Sequence, residues 1–157
     1  MATAIDTNVL MSILLGEQDA GHAAERAIRM YAARDKLVIS PIVYAELAVR
    51  FESEEECGSF LNAYAITLDE LSPAAAWRAS EAWRAYQRRR IDGIACPSCG
   101  ERATPTCVKC GNALSWRQHI IAHFLIAAHA LTQTNRLITR DRGYFCTYFP
   151  DLAIITP

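Results

Sequence analysis

The fold is decided by a stretch near the start of the chain, Ala4-Ile5-Asp6-Thr7-Asn8-Val9-Leu10. The apolar residues before Asp6 predict a short buried strand that ends in a carboxylate. Thr7 and Asn8 then begin a helix whose first apolar positions are Val9 and Leu10. In parallel α/β folds the carboxyl ends of strands converge on one edge of the sheet, where ligands bind. Asp6 is therefore predicted to lie at such an edge.

Short strands and helices continue to alternate beyond this stretch. Apolar residues recur at i, i+3, i+4 and i+7 over residues 18–34, which predicts an amphipathic helix. Leu37-Val38-Ile39 is predicted to be a second strand, and Ser40-Pro41 to begin the next helix, because proline is favoured at the first helical position. Further helices are predicted from Glu54 and over residues 73–90 and 118–132, and strands over 136–139 and 152–155. The alternation predicts an α/β fold with a parallel sheet.

The composition predicts one ordinary globular domain over residues 1–157, with 52% apolar and 21% charged residues. The formal net charge is −1, so any contact with nucleic acid must come from local basic patches. No run of about 18 apolar residues suggests a membrane span. The first residues also lack the basic and apolar regions of a signal peptide. We therefore expect a cytoplasmic protein from a bacterium or an archaeon.

Four cysteines lie in a segment without helical periodicity. They form two Cys-x-x-Cys-Gly repeats, Cys96 to Gly100 and Cys107 to Gly111. A spacing of two residues lets one tight turn direct both sulfur atoms at a single point, and the following glycine permits a positive φ. Zinc prefers a tetrahedral shell of thiolates in structural sites. The pattern predicts an insertion over residues 94–113 that holds one structural Zn²⁺ ion. Its four predicted ligands are Cys96, Cys99, Cys107 and Cys110.

Other interpretations of the cysteines are less favoured. A redox pair is one of them, but neither repeat opens a helix after a strand. The role of the insertion stays open between stapling a loop and presenting Arg102, Lys109 and Arg117 to a nucleic-acid backbone. Cys57 and Cys146 lie in apolar or helical contexts, and both are predicted to be buried thiols.

Three acids are predicted to meet at the edge of the sheet. Asp6 and Asp141 follow predicted strands, and Glu46 lies within a predicted helix. Each acid alone has a simple alternative role as a helix cap or a salt-bridge partner. Gathered together, however, they would repel one another unless a divalent cation is bound. The acids therefore predict a metal site.

The segments around these acids resemble the PIN-domain family, and more narrowly its VapC-like toxins of toxin–antitoxin pairs. The resemblance covers nearly all of the chain outside residues 91–117. The matching segments are Ala4 to Leu10, Ile39 to Leu47, Ala122 to Ala130, Leu137 to Phe145 and Tyr148 to Leu152. The resemblance implies a three-layer α/β/α sandwich, in which the cysteine segment would be a small zinc-ribbon-like insertion.

The same resemblance implies a metal-dependent ribonuclease. RNA phosphodiesters would be hydrolysed by a water activated on Mg²⁺ or Mn²⁺. The family's acids correspond to Asp6, Glu46 and Asp141, and its supporting polar residues to Thr7, Asn8 and Thr139. VapC-like toxins further imply a homodimer and an antitoxin whose tail covers the acidic site.

His123 departs from the family, which places a further aspartate at that position. Mg²⁺ requires hard oxygen ligands, whereas imidazole suits Mn²⁺ and other transition ions. His123 is interpreted as a metal ligand, as a base or supporting group in a weak enzyme, or as the mark of an inactive protein. His119 lies four residues earlier, a spacing that metals use. For His119, a solvated or structural role is favoured over coordination.

The long predicted helix ends in basic residues, Arg84 and Arg88 to Arg90. Phosphate contact explains them as well as simple solvation near a helix carboxyl end does. Two rival functions remain. A non-catalytic RNA- or protein-binding module is supported by His123, whereas a zinc-ribbon DNA-binding factor leaves the spaced acids unexplained.

Overall fold

The structure is a computed structural model that describes residues 1–89, 94–95, 102–113, 121–141 and 143–157. Within these residues, five strands form one parallel sheet: β1 (Ala2–Ile5), β2 (Lys36–Ile39), β3 (Ile66–Leu68), β6 (Arg136–Ile138) and β7 (Ala153–Ile155). Their order across the sheet is β3-β2-β1-β6-β7. Two further short strands, β4 (Ile94–Ala95) and β5 (Arg102–Ala103), pair antiparallel within the predicted insertion.

Helices connect the strands of the sheet. They are α1 (Thr7–Leu14), α2 (Gln18–Ala32), α3 (Pro41–Ala48), α4 (Glu54–Ala63), α5 (Pro73–Arg89), α6 (Ile121–His129) and α7 (Tyr144–Tyr148). A π-helical turn, Ala130–Thr134, continues α6. The chain crosses from β1 to β2 to β3 in one direction, and from β3 to β6 to β7 in the other. Because such crossovers are right-handed, α1 to α4 cover one face and α5 to α7 the other. The predicted three-layer α/β/α sandwich is confirmed.

The central strands are buried on both faces, as expected for a covered parallel sheet. Ile5, Ile39 and Ile138 are at most 1% exposed. On the α5–α7 face, Phe124 lies at the centre of an aromatic cluster with Trp83 and Tyr148. The Phe124 ring centroid is 5.1 Å from that of Trp83 and 5.6 Å from that of Tyr148. These contacts fix α6 against α5 and α7.

Serine hydroxyls mark where several helices begin. The side chain of Ser40 accepts a hydrogen bond from the backbone N–H of Val43, at 3.4 Å. The side chain of Ser72 accepts one from the N–H of Ala75, at 3.1 Å. Both serines precede a proline in the first turn, so the predicted starts of α3 and α5 are confirmed.

β3 and α7 were not predicted from the sequence. β3 has three residues, of which only Ile66 is buried, while Thr67 and Leu68 are exposed. Because it lies at the edge of the sheet beside β2, its sequence lacks the continuous apolar character of the central strands. α7 has only five residues, too few to show a helical period.

At the amino edge of the sheet, Asp35 forms a network that joins three elements. Its carboxylate is 3% exposed. It accepts a hydrogen bond from the Thr3 hydroxyl at 2.9 Å and pairs with the Arg136 guanidinium at 3.1 Å. The Met1 ammonium lies 3.6 Å away. The Thr3 hydrogen bond and the nearby positive charges lower the pKa of Asp35. This carboxylate is therefore compensated by cations within the protein.

Within the described part of the chain, no helix is both long enough and apolar enough to cross a membrane.

Candidate active site

Asp6 lies at the carboxyl end of the central strand β1. Its backbone N–H donates to the carbonyl of Ile138 at 2.9 Å, so β6 fixes its position. The residue is 4% exposed. Its Oδ2 atom accepts hydrogen bonds of 2.6 Å from the Thr139 hydroxyl and 2.6 Å from the Asn8 amide. These donors hold the buried carboxylate in one orientation.

Asn8 connects the two segments that carry the predicted acids. Its Nδ2 atom also lies 3.2 Å from the Thr139 hydroxyl oxygen, and its Oδ1 atom accepts the Arg140 backbone N–H at 3.1 Å. The Thr139 hydroxyl in turn accepts the backbone N–H of Asp141 at 3.0 Å. The amino end of α1 and the loop after β6 are thus joined by side-chain hydrogen bonds around Asp6.

Glu46 is joined to the same region through Thr7. The Thr7 hydroxyl donates to Oε2 of Glu46, which connects the first turn of α1 to α3. Glu46 is close enough to Asp6 for its negative charge to raise the pKa of that residue.

Burial raises the pKa of Asp6 above the ordinary value of an aspartate. Hydrogen bonds from the Thr139 hydroxyl and the Thr7 backbone oppose this effect, as does the positive charge of His123. Among the residues described, no lysine or arginine forms an ion pair with Asp6. A buried carboxylate without such a partner is a favourable position for an added cation.

The structure brings Glu46 and His123 each within electrostatic range of Asp6. Asp141 adjoins them through its backbone bond to Thr139, while its Oδ1 accepts the N–H of Gly143 at 3.1 Å. In the described ranges, no three side chains of His, Cys, Asp or Glu are already arranged as ligands of one metal ion. His119 lies outside the described residues.

Ser12 and Glu17 were not recognised from the sequence, although they hold the loop that carries Asp141. The Arg140 guanidinium donates to the Ser12 hydroxyl and, at 2.6 Å, to Glu17. These partners are 128 and 123 positions from Arg140, so no local spacing could have revealed them. The contacts fix the loop after β6 against α1 and the α1–α2 connection.

An open cavity of about 650 Å³ borders Glu46. It lies between α3 and the first turn of α6. The residues around it are mainly apolar: Pro41, Ile42, Ala45, Glu46, Val49 and Ala122. Glu46 therefore borders an accessible apolar surface.

Half of the predicted cysteine site lies in the described residues. The Cys107 N–H donates to the carbonyl of Asn112, and the Gly111 N–H to that of Cys107, both at 2.8 Å. Gly111 has the predicted positive φ, +75°. Backbone N–H groups of Cys110 and Lys109 donate to the Cys107 thiol and lower its pKa. Cys96 and Cys99 lie outside the described residues, so the zinc site stays a prediction.

The two remaining cysteines differ. Cys57 is buried, as predicted, and burial raises the pKa of its thiol. Cys146 is exposed, so the prediction of a buried thiol is wrong there. The short helix α7 buries Phe145 and turns the next residue toward solvent.

Comparison with known proteins identifies the family. The sequence model of the PIN-domain family matches residues 3–104, which is more than half of the 157 residues. The chain belongs to the PIN-domain family.

Two solved structures have a similar fold over nearly their full length. One is VapBC2 from Rickettsia felis, bound to a DNA fragment from the promoter of its own genes, and the other is VapBC-1 from nontypeable Haemophilus influenzae. In each comparison the sequence identity is 18% and the TM-score 0.62, covering 99% of this chain and 98% of the other. At this identity the likeness establishes the fold alone. No curated protein matches the sequence.

Proposed function

We propose that this protein is a metal-dependent endoribonuclease of the VapC-like type, which hydrolyses RNA phosphodiester bonds. The observation that carries the proposal is the state of Asp6. This residue is buried and held by Thr139 and Asn8, and its pKa is raised because burial removes its carboxylate from solvent. Such a carboxylate is stabilised when a divalent cation is added.

The residues present fit Mg²⁺ or Mn²⁺. Mg²⁺ keeps several waters and is commonly bound through one or two carboxylates, so a closed cage of protein ligands is not required. Asp6 and Asp141 would be the direct ligands. Glu46 would bind through water or orient the nucleophile, since Thr7 holds its carboxylate. His123 would favour Mn²⁺ because an imidazole suits transition ions better than Mg²⁺.

When bound, the ion would supply an activated water and would neutralise charge on the phosphate oxygens. The protein's own contribution is orientation. Thr139 and Asn8 hold Oδ2 of Asp6, so the remaining oxygen has a fixed direction. The backbone N–H groups of Arg140 and Asp141 donate to the side chains of Asn8 and Thr139. These bonds fix the loop after β6 next to Asp6.

His123 also supports a second candidate, a PIN-fold module that binds RNA or protein without cleaving it. His123 lowers the pKa of Asp6 electrostatically, as a bound cation would. A protonated His123 could therefore take the place of a metal ion. In this alternative the acidic site would be occupied by its own histidine.

Cleavage of a labelled single-stranded RNA separates the two candidates. We expect the purified protein to cleave it with Mn²⁺, and Asp6→Asn to reduce the rate by roughly a hundredfold or more, beyond the loss typical of an outer-shell partner. Asp151→Asn changes an exposed acid and serves as the control. If the wild type and Asp6→Asn bind RNA but neither cleaves it with any divalent ion, the non-catalytic module is correct.

We also propose an antitoxin partner and a homodimer. The apolar cavity beside Glu46 supports the first, because a segment of an antitoxin tail docked there would lie against one of the predicted site acids. Val49, which borders it, is 77% exposed. Co-expression with the product of a small neighbouring reading frame should yield a stable complex that protects the Val49 backbone from hydrogen exchange. The homodimer is tested separately: light scattering of the free protein should give twice the chain mass.

The insertion over residues 94–113 is proposed to hold structural Zn²⁺ through Cys96, Cys99, Cys107 and Cys110. The Cys107–Gly111 turn supports this, since its backbone N–H groups already point at a thiol. Metal analysis should find about one zinc per chain. The double substitution Cys107→Ser and Cys110→Ser should remove it while the helical circular dichroism of the domain persists. Retained zinc in that variant would contradict the assignment.

A further inference from the structure

Trp77 is unusually accessible for a tryptophan. Its side chain on α5 is 63% exposed. The inner face of that helix is formed by Ala75, Ala79 and Ala82, which are buried against the rest of the domain. Trp77 is therefore not needed for the core.

One arginine contacts this indole on the outer face of α5, and a second follows one turn further along the helix. The guanidinium carbon of Arg84 lies 5.5 Å from the Trp77 ring centroid, a cation–π contact. Arg88 lies one turn beyond Arg84 and is exposed. Trp77, Arg84 and Arg88 are spaced by seven and four residues, so they share one face of the helix and extend about 16 Å along it. We call these three residues the α5 stripe.

The charge of α5 differs in sign from that of the rest of the chain. Residues 73–89 contain four arginines and one glutamate, a net charge of +3. Because the whole chain carries −1, the remaining residues together carry −4. Of the arginines, Arg78 is directed toward Glu81 and Phe149, which leaves the outer arginines to face solvent. A localised positive field is what a polyanion requires.

The chemistry of the α5 stripe fits a nucleic acid better than a protein. Contiguous exposed apolar patches of several hundred square ångströms are a mark of protein docking surfaces. On α5, Trp77 is the one large exposed apolar side chain in the part of the chain that the structure describes. The charged side chains beyond it on this face are Glu81, which pairs with Arg78, and then Arg84 and Arg88. An aromatic ring among arginines is typical of surfaces that stack bases and neutralise phosphates of a single strand.

We infer that the α5 stripe is a binding surface for single-stranded RNA, separate from the acidic site. An unpaired base stacks on the free face of Trp77, while Arg84 orients the indole and Arg88 contacts the phosphates of the same strand. The surface selects unpaired segments, because only these expose the face of a base. The choice of RNA as ligand rests on the proposed function, whereas the preference for a single strand follows from the stripe itself.

The test is fluorescence anisotropy of a labelled single-stranded oligouridylate with the full chain in buffer without added Mg²⁺ or Mn²⁺, so that cleavage is suppressed while the proposed Zn²⁺ stays bound. Trp77→Ala should weaken binding roughly tenfold, the typical loss of one stacked base. Trp77→Phe should retain most of the affinity, because a phenyl ring also stacks. Arg88→Ala should reduce the slope of log K against log salt by about 0.7, the loss of one phosphate contact.

Matched controls lie on α2, in the opposite layer. Met30 is 54% exposed and Arg26 is exposed, so Met30→Ala and Arg26→Ala remove the same kinds of group and should leave affinity unchanged. The inference is overturned if the wild type does not bind the oligonucleotide or if Trp77→Ala binds it as the wild type does. It is also overturned if Trp77→Ala alters only the molecular mass in light scattering, which would assign the stripe to a protein contact.

The outcome is independent of the nuclease proposal. Loss of affinity in Trp77→Ala together with no cleavage by the wild type would remove the nuclease and keep the RNA surface. If Asp6→Asn abolishes cleavage but Trp77→Ala binds RNA with unchanged affinity, the nuclease proposal is kept and the RNA surface is rejected.

Discussion

A buried carboxylate lies at each edge of the sheet, but the two carboxylates have different partners and pKa shifts in opposite directions. At the amino edge, Asp35 receives the Thr3 hydroxyl and pairs with Arg136, and its pKa is lowered. At the carboxyl edge, Asp6 receives the Thr139 hydroxyl in a similar way, but no described lysine or arginine pairs with it and its pKa is raised. Each site thus has a carboxylate and a buried threonine, whereas among the described residues only Asp35 has an arginine partner.

This difference separates structure from function. Asp35 strengthens the fold because its charge is balanced when the chain folds. Asp6 is held in place although burial makes its charge costly in that position, a state that favours binding of an added cation. We interpret the amino edge as a structural site and the carboxyl edge as a site for a divalent cation.

The largest expected effect is on thermal stability with and without Mn²⁺. At Mn²⁺ concentrations about a hundredfold above its Kd, the melting temperature of the wild type should rise by roughly 5–10 °C, and that of Asp6→Asn should not change. Asp35→Asn should melt at a lower temperature than the wild type but show the full rise with Mn²⁺. Differential scanning fluorimetry measures all three, and equal Mn²⁺ shifts in the two variants would erase the distinction between the edges.

The two threonines provide the next contrast. Thr139→Val removes the hydroxyl that orients Asp6, and we expect Mn²⁺ affinity to fall about tenfold or more, as for other outer-shell groups. Thr3→Val removes the equivalent hydroxyl from Asp35 and should lower stability while leaving Mn²⁺ affinity unchanged. Both residues are fully buried, so the substitutions are closely matched. Calorimetric titration with Mn²⁺ compares them, and a similar affinity loss in both would indicate general loosening of the sheet.

His123→Asp tests how the carboxyl edge selects its metal. The substitution adds a negative charge and a hard oxygen ligand, so Mg²⁺-dependent cleavage should increase by about tenfold. The wild type should bind Mn²⁺ more tightly than Mg²⁺. His22→Asp alters an exposed histidine on α2 and should have neither effect. If His123→Asp leaves both metal affinity and cleavage unchanged, His123 is not part of the metal site.

The smallest effect concerns His129, whose Nε2 lies 3.1 Å from Asp69. Burial lowers the pKa of His129 despite this acid. The folded state therefore binds fewer protons than the unfolded state. The contribution of His129 to stability is complete above its ordinary pKa of about 6.5 and is lost as the pH falls below it.

Between pH 7.5 and 5.5 the wild type should lose stability in urea, by at most about 1.4 kcal/mol per pH unit from this group. His129→Gln should flatten the loss and His22→Gln should not. A wild type that gains stability over the same interval would reverse the assignment.

Much of the fold could be predicted because each central strand has its own apolar run. β1, β2, β6 and β7 lie within one or two residues of the predicted segments, and Ser40 and Ser72 identify helix starts. β3 was missed because an edge strand of three residues needs only one buried side chain. Cys146 was assigned wrongly because α7 is too short for its buried face to appear in the sequence.

The placement of the predicted acids at one edge of the sheet could be inferred from the sequence, whereas the hydrogen bonds around them could not. Asp6 and Asp141 follow strands, which placed them at one edge once the sheet was known to be parallel. The bond from Thr139 to Asp6 spans 133 positions, and that from Arg140 to Glu17 spans 123. Such partners depend on the order of strands in the sheet, which local patterns do not encode. The opposite pKa shifts of Asp35 and Asp6 also depend on tertiary contacts of this kind.

The most direct test of the carboxyl edge is a calorimetric titration of Mn²⁺ into the wild type and into Asp6→Asn, Glu46→Gln and Asp141→Asn. If the three acids share one cation, the wild type binds one ion per chain and each variant loses most of the affinity, while Asp151→Asn binds as the wild type does. If Asp6→Asn or Asp141→Asn binds Mn²⁺ with unchanged affinity and stoichiometry, the acids do not form a common metal site and the proposed nuclease has no basis.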